Sequence, residues 1–378
     1  MDKEKDNKYK GIPLSVAPMM EWTDRHCRFF HRLLAPRAVL YTEMLVADAV
    51  LRGEAGRLLA FDPAEHPVVC QLGGSEPGKL AAAARQVEAA GYDEVNLNVG
   101  CPSDRVQSGR FGACLMREPA LVADCVAAMR AAVQIPVTVK TRLGVDELDS
   151  DDYLRSFIDT VAAAGCEVFI LHARKAWLQG LSPKQNREVP PLDYGRAYRM
   201  KALFPALTIV LNGGIRDAVS ARAHLERVDG VMLGREAYER PWSLVGLHRQ
   251  LCGPGGVDTR EEALLALAAY AGRERARGTR LWSIARHVLG LYAGQPGARA
   301  FRRALSEACR DPAASPDTLL ASAAHCHPGV GVASDLAYNP RKAPLRAQAG
   351  ESQPGGKTQS QAHGSASGTF DGRAGRSP

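Results

Sequence analysis

TIVLNGGIRDAVSARAHLERVDGVMLGR, residues 208–235, reads as one complete unit of a repeating architecture. TIVLN from Thr208 and GVMLG from Gly230 are short apolar runs of the kind that form strands buried on both faces. Residues 218–227 between them are Ala-rich and helix-like. A strand, a helix and a second strand make a crossover, which parallel neighbours require because a tight hairpin cannot join them. Both runs end in glycine turns, Asn212-Gly213-Gly214 and Gly234-Arg235.

The same alternation recurs toward the N-terminus. Further runs are LSVA from Leu14, AVLY from Ala38, VVCQL from Val68, EVNLN from Glu94, VTVK from Val137 and VFILH from Val168. Helix-like segments lie between most of them, at 79–90, 120–132, 152–164 and 194–203. Eight such units before residue 240 match an α/β fold of the (β/α)8 TIM-barrel type in size. An open doubly wound sheet is the alternative. The barrel is preferred because polar residues follow the apolar run in nearly every unit, whereas an open sheet gathers its site mainly at one switch point.

GPGGVD, residues 253–258, breaks the helical pattern. Thr259 and Glu262 then offer a capping box for a helix through Ala271. Segments 282–292 and 299–308 read as two more helices around the turn AGQPGA. The expected organisation is a barrel over 1–252, a small helical domain over 253–326, and a disordered tail over 327–378, where Gly, Ser, Gln, Ala and Pro dominate.

The 378 residues, 46% hydrophobic and 24% charged, suffice for a sizeable core. A formal charge of +7 permits a polyanionic partner without requiring one. Nine cysteines, an odd set with no CxxC pair or metal-ligand spacing, read as reduced thiols and predict no metal. MDKEKDNKYK lacks a signal-peptide core, and no run approaches a membrane span. A cytoplasmic, membrane-free monomer is expected.

A barrel brings its strand C-termini to one face. That face would carry Pro18, Met19 and Met20; Glu43; Gln71; Asn96, Asn98 and Cys101; Lys140 and Arg142; His172 and Arg174; and both glycine turns. The turns after strands seven and eight stand where barrels commonly bind phosphate, although either alone would serve as a tight βα turn. Lys140, if buried, must face an anion or an electron-rich ring such as a flavin pyrimidine; a lysine emerging to solvent is the plainer reading. Gln71 could hold the same ring or merely end its strand. His172 alone reads as a structural histidine, and Met19 and Met20 as core. NLNVGCPSDRVQSGRFGACLM, residues 96–116, is a Gly- and Ser-containing loop carrying Cys101, a thiol suited to general-acid work at neutral pH. Cys70, Cys125 and Cys166 sit in apolar patterns and read as inert core.

With VAPMM, the Asn-rich strand leading into GCP, and the NGG and GR turns, the chain resembles the tRNA-dihydrouridine synthases from about Leu14 to Ala308. ARKAWLQGLSPKQNREVPPLDY, residues 173–194, and RHVLGLYAGQPGARAFRRAL, residues 286–305, resemble the A-type subfamily, which acts on D-loop uridines 20 and 20a. The resemblance implies that Pro18, Met19, Met20, Gln71, Lys140, His172, Asn212, Gly213, Gly214, Gly234 and Arg235 hold FMN. It implies Cys101 as proton donor, and Asn98, Lys184, Arg187, Arg299 and Arg302 as contacts to tRNA. The implied reaction sends hydride from FMN N5 to uracil C6 and a proton from Cys101 to C5, with Lys140 and Arg142 stabilising charge on the base. NADPH would be the reductant, although no GxGxxG turn marks a separate site. Residues 259–303 hold nine arginines against three glutamates, which suits a grip on RNA phosphates better than a merely solvated face. A dihydroorotate-type oxidoreductase and a noncatalytic tRNA-binding barrel are the competing readings. The basic helical segment argues against the first, and intact Cys101 and Lys140 against the second.

Overall fold

The computed structural model describes residues 11–326 and contains one closed barrel of parallel strands in sequential order. They are β1 (Leu14–Val16), β2 (Val39–Val46), β3 (Val68–Gly73), β4 (Glu94–Val99), β5 (Val137–Arg142), β6 (Val168–His172), β7 (Thr208–Asn212) and β8 (Gly230–Leu233). Val16 pairs with Leu233, and this β1–β8 contact removes the free edges that an open sheet would leave. All eight runs expected from the sequence are therefore strands of a TIM barrel, and the doubly wound alternative is excluded. The tail expected over 327–378 lies outside the described residues.

The crossover helices start where their first turns are satisfied. Pro77–Ala89 and Pro119–Ala132 place proline at the start, where no intrahelical N–H is needed. Asp151–Ala163, Tyr194–Leu203 and Ala218–Leu225 are capped by Ser150, Asp193 and Asp217, whose side chains accept backbone N–H groups. The Arg25–Leu34 helix was not among the segments expected from the sequence. Its basic residues other than Arg25 are buried. Arg28 pairs with Glu65 at 2.6 Å, and Arg32 donates to the carbonyls of Ala35, Pro36, Glu65 and Pro67.

Gly253, Gly255 and Gly256 all take positive φ, and this turn leads into the Arg260–Ala276 helix. Thr259 accepts the Glu262 N–H, but the Glu262 carboxylate reaches the Asp258 N–H, so the expected capping box is shifted by one residue. The helix packs on Arg25–Leu34, with Phe29 and Tyr270 stacked at 3.9 Å and His26 Nδ1 2.7 Å from the Tyr270 hydroxyl. The continuous helix expected over 282–292 is broken into Leu281–Ala285 and a 3₁₀ turn at Arg286–Val288. The chain then passes so close to Glu239 that a Cβ on Gly290 would lie 2.4 Å from its carbonyl oxygen. Ala298–Ala308 is helical, as expected.

The bore of the barrel is filled by Ala17, Val39, Tyr41, Val69, Val168, Ile170 and Met232. Strands β4 and β5 depart from this apolar filling: Glu94, Asn96, Asn98, Thr138 and Arg142 are all buried. Their polar groups need partners, and they find them in one another and in the mouth of the barrel.

Candidate active site

Adjacent strand ends bring the sequence-predicted residues together in register. Gln71 pairs with Asn96, Asn98 with Lys140, Arg142 with His172, and His172 with Asn212. Lys140 Nζ donates to Asn212 Oδ1 at 3.0 Å, and Asn212 Nδ2 donates to the Met232 carbonyl at 2.8 Å. No carboxylate lies in an ion pair with Lys140 among the described residues. Burial, reinforced by Arg142, lowers the Lys140 ammonium to about 7. Burial also holds His172 well below its ordinary range, with Arg142 and Lys140 adding to the effect, so its ring is neutral.

Cys101 is half-buried on the loop after β4. Asn98 Oδ1 accepts the N–H groups of Gly100 and Cys101 at 3.1 and 2.9 Å, and the Cys101 carbonyl accepts the Ala113 N–H at 2.8 Å. Gly112 permits that return: its φ is +77°, and a Cβ there would lie 2.5 Å from the Cys101 oxygen. The thiol's nearest polar contact is Ser103 Oγ at 3.5 Å. Gln107 ties this loop to the one after β6 by donating to the Pro102 and Leu178 carbonyls at 2.9 and 2.7 Å.

Arg142, read from the sequence as a contact to substrate, is only 3% exposed and serves three backbone carbonyls. Its Nε donates to Gly100 at 3.1 Å, and its Nη1 to Lys175 at 3.2 Å and Asn186 at 2.9 Å. It clasps the Cys101 loop to the loop after β6. Burial lowers its guanidinium to about 10. Asn186, which the sequence reading passed over, is wholly buried and exchanges hydrogen bonds with Trp177 in both directions, with a further donation to Leu181. It holds out Lys184 and Arg187, both exposed, on either side.

A cavity of about 280 Å³ opens beyond the ends of β6, β7 and β8, lined by His172, Arg187, Asn212–Gly214, Gly234 and Arg235. Arg174, expected at this face, and Arg216 and Arg240, which were not, also line it, together with Glu236 and Glu239; Glu236 pairs with Arg240 at 2.7 Å. Gly214 has φ +72°, and a Cβ there would sit 2.5 Å from the Tyr194 hydroxyl; a Cβ on Gly234 meets nothing within 4 Å and would project into open space. Bare backbone and arginines around a small cavity suit a phosphate. Arg235 is partly engaged by Glu188, at 2.6 Å. A larger concavity of about 630 Å³, between Phe61 and Gly91, holds none of these groups.

Pro18, Met19 and Met20 follow β1 at the same mouth, Met20 being 56% exposed while Met19 packs against the core. Thr23 fixes the turn: its hydroxyl accepts the Met19 N–H at 2.9 Å. Glu43 accepts the Glu21 N–H. Asp24 caps the Arg25–Leu34 helix and also pairs with Arg286 at 2.6 Å and His287 at 3.0 Å, fastening the segment after residue 252 to the barrel. Nothing in the local sequence around Asp24 announced that role. Arg299 and Arg302 stand apart from the mouth residues in sequence, on the Ala298–Ala308 helix, both exposed and without a protein partner among the described residues. No helix is long and apolar enough to cross a membrane, and no metal-ligand cluster occurs, among the described residues.

Comparison with known proteins agrees with this geometry. The dihydrouridine synthase (Dus) family model matches residues 15–324. A protein of Vibrio cholerae named tRNA-dihydrouridine(20/20a) synthase is 56% identical over 303 residues, covering 80% of this chain and 92% of its own. Namesakes from Xanthomonas campestris and Escherichia coli K12 are 59% and 56% identical, each covering 80% of this chain, and 90% and 88% of their own. By the extent of the family match and by these identities, the chain belongs to the dihydrouridine synthase family.

Proposed function

We propose that this chain reduces uridine to 5,6-dihydrouridine in the D-loop of transfer RNA, at positions 20 and 20a, using flavin mononucleotide with NADPH as the reductant. The observation that carries the reading is the junction of two groups at one barrel mouth. Asn98 pairs in register with Lys140 and, through its Oδ1, holds the N–H of Cys101. A thiol and a half-buried lysine thus serve one space.

The donor set fits a flavin nucleotide. The cavity walled by Gly213, Gly214, Gly234, His172 and Arg235 would take the phosphate. Lys140 and Gln71 would face the pyrimidine edge of the ring, and Pro18, Met19 and Met20 its side. When bound there, the flavin supplies hydride to C6 of the uracil. The rest is this chain's work. Cys101 delivers a proton to C5 from the other face of the base, and Lys140 offsets the negative charge that develops toward O4. Arg142 keeps the Cys101 loop closed over the site. Asn98 orients that loop and meets the substrate at its edge.

A D-loop uridine must leave its stack to enter this mouth. Lys184 and Arg187 would meet the RNA at the rim, and Arg299 and Arg302, on the helical segment 253–326 that we treat as a separate domain, would contact its phosphates. A tRNA substrate sets the enzyme in the cytoplasm.

The reading is tested by separating the two half-reactions. Cys101→Ala should leave flavin reduction by NADPH intact and abolish flavin reoxidation by tRNA. Equal loss of both steps would refute the acid role.

A further inference from the structure

Five buried side chains form one unbroken hydrogen-bonded line from the foot of the barrel to the Cys101 loop. Glu94 Oε1 accepts the Thr138 hydroxyl at 2.6 Å, Thr138 Oγ1 accepts Asn96 Nδ2 at 2.8 Å, and Asn96 Oδ1 accepts Gln71 Nε2 at 2.8 Å. Gln71 Oε1 then accepts Asn98 Nδ2 at 2.8 Å, and Asn98 Oδ1 accepts the Gly100 and Cys101 N–H groups.

An amide or a hydroxyl can both donate and accept, so no middle member of this line decides its direction. The ends do. At the loop, backbone N–H groups can only donate, which turns Asn98 Oδ1 toward them. At the foot, Glu94 Oε1 accepts the Thr138 hydroxyl, the only role open to an ionised carboxyl. The two ends agree, and every amide between them has one permitted orientation.

The carboxyl is otherwise hard to account for. Glu94 is 3% exposed and has no ion-pair partner among the described residues; its other hydroxyl contact is Tyr41, at 3.4 Å. Burying a carboxyl without a cation is unfavourable, and the neighbouring bore positions are Val39, Val69 and Val168. An apolar residue would pack there with less penalty.

We propose that Glu94 is a positioning residue: it accepts the Thr138 hydroxyl that the loop's N–H groups, acting through Asn98, Gln71 and Asn96, turn toward the foot, and by closing the line there it holds those amides and the Cys101 loop in one arrangement. The inference rests on the proposed flavin site only for what Gln71 touches. Without the acceptor the Thr138 hydroxyl loses its partner at the buried foot, and the amides can compensate only by setting an NH₂ group of Asn98 against the N–H donors of the loop, so the line slackens from the foot upward.

The test compares Glu94→Met, which removes the acceptor at similar length, Glu94→Gln, which keeps a carbonyl oxygen, and Thr138→Val, which breaks the line at constant shape. Ile170→Val, in the same bore but outside the line, is the control. Two readouts are taken on the full chain: the Kd of flavin mononucleotide for protein stripped of flavin, and the rate of Cys101 alkylation by iodoacetamide, followed on its own peptide by mass spectrometry. Glu94→Met and Thr138→Val should each weaken flavin binding about tenfold, the scale of one misdirected hydrogen bond. They should also change the Cys101 alkylation rate, while Glu94→Gln stays within about twofold of the parent on both readouts. The double variant Glu94→Met/Thr138→Val should be no worse than either single one, because both cut one line. Additive losses, equal losses in Ile170→Val, or a Glu94→Gln protein as weak as Glu94→Met would overturn the proposal. A parent protein that fails to bind flavin would sink the cofactor reading instead, leaving the alkylation comparison to judge Glu94. If Glu94→Met fails to fold, Thr138→Val decides alone.

Discussion

Lys140 should take up a proton when the cofactor binds. In the free protein burial holds its ammonium at about 7, against an ordinary 10.5. At pH 8 a group of pKa about 7 is roughly one-tenth protonated. An electron-rich ring edge placed against Nζ offsets the cost of burying the charge by accepting its hydrogen bond, and the lysine regains its proton. Binding at pH 8 should then consume about 0.9 proton per flavin, and still about 0.5 if the free value is nearer 8. The sign follows from linkage. Between the folded and unfolded values the unfolded chain holds the extra proton, so the ligand-free protein gains stability as pH rises through this window and loses it as pH falls toward 7. Binding runs the other way, and log Kd should rise by nearly one per pH unit from about 8 to 9.5. Two isothermal titrations at pH 8, in buffers of different ionisation enthalpy, measure the proton count directly. They are best made in Cys101→Ala protein, so that the thiol does not contribute. Arg142 titrates at about 10 and His172 far below, so neither interferes at this pH. Lys140→Met should abolish the buffer dependence. A parent protein whose binding heat is the same in both buffers would show that Lys140 does not face the bound ring.

The remaining predictions concern positions whose contacts are visible. Gly214→Ala puts a β-carbon 2.5 Å from the Tyr194 hydroxyl at φ +72°, adding about 1–2 kcal/mol of backbone strain to the clash; flavin affinity should fall at least about tenfold while tRNA still binds, and an unchanged affinity would remove this turn from the phosphate site. Arg142→Met strands the carbonyls of Gly100, Lys175 and Asn186, so thermal denaturation should show a loss of about 3 kcal/mol or more. Arg142→Lys should recover only part of it, and a melting temperature equal to the parent's would mean the clasp holds nothing. Replacing Arg299 and Arg302 with alanine should weaken tRNA binding and lower the slope of log K against log salt by about 2, with flavin binding untouched.

A residue's role was legible in the sequence where that role is local. Strands, crossover helices and the two glycine turns were readable because each is set by neighbours in the chain. Ser150, Asp193 and Asp217 cap the helices that follow them within three residues. Arg25–Leu34 was missed because its basic residues are satisfied by Glu65 and by carbonyls of the next loop, partners that no periodicity displays. The break at Arg286–Val288 likewise answers to contacts elsewhere in the fold, with Asp24 and Glu239. Arg142 was read as a contact to substrate, whereas its partners in the fold are main-chain atoms, which a sequence does not show.

One signal for the interior line was nevertheless present. EVNLN alternates polar and apolar residues, a pattern that in an antiparallel sheet would mean one wet face. A strand of a closed parallel barrel has no wet face: its outer side is covered by helices and its inner side is the bore. Alternation in such a strand therefore means that polar groups point into the core, where each must be paired. Glu94, Asn96 and Asn98 share one side of β4, and Thr138 and Gln71 on the flanking strands are their nearest polar neighbours. Given the barrel, the pairing follows from register alone, and it leads from a carboxyl at the strand's start to the thiol just beyond its end.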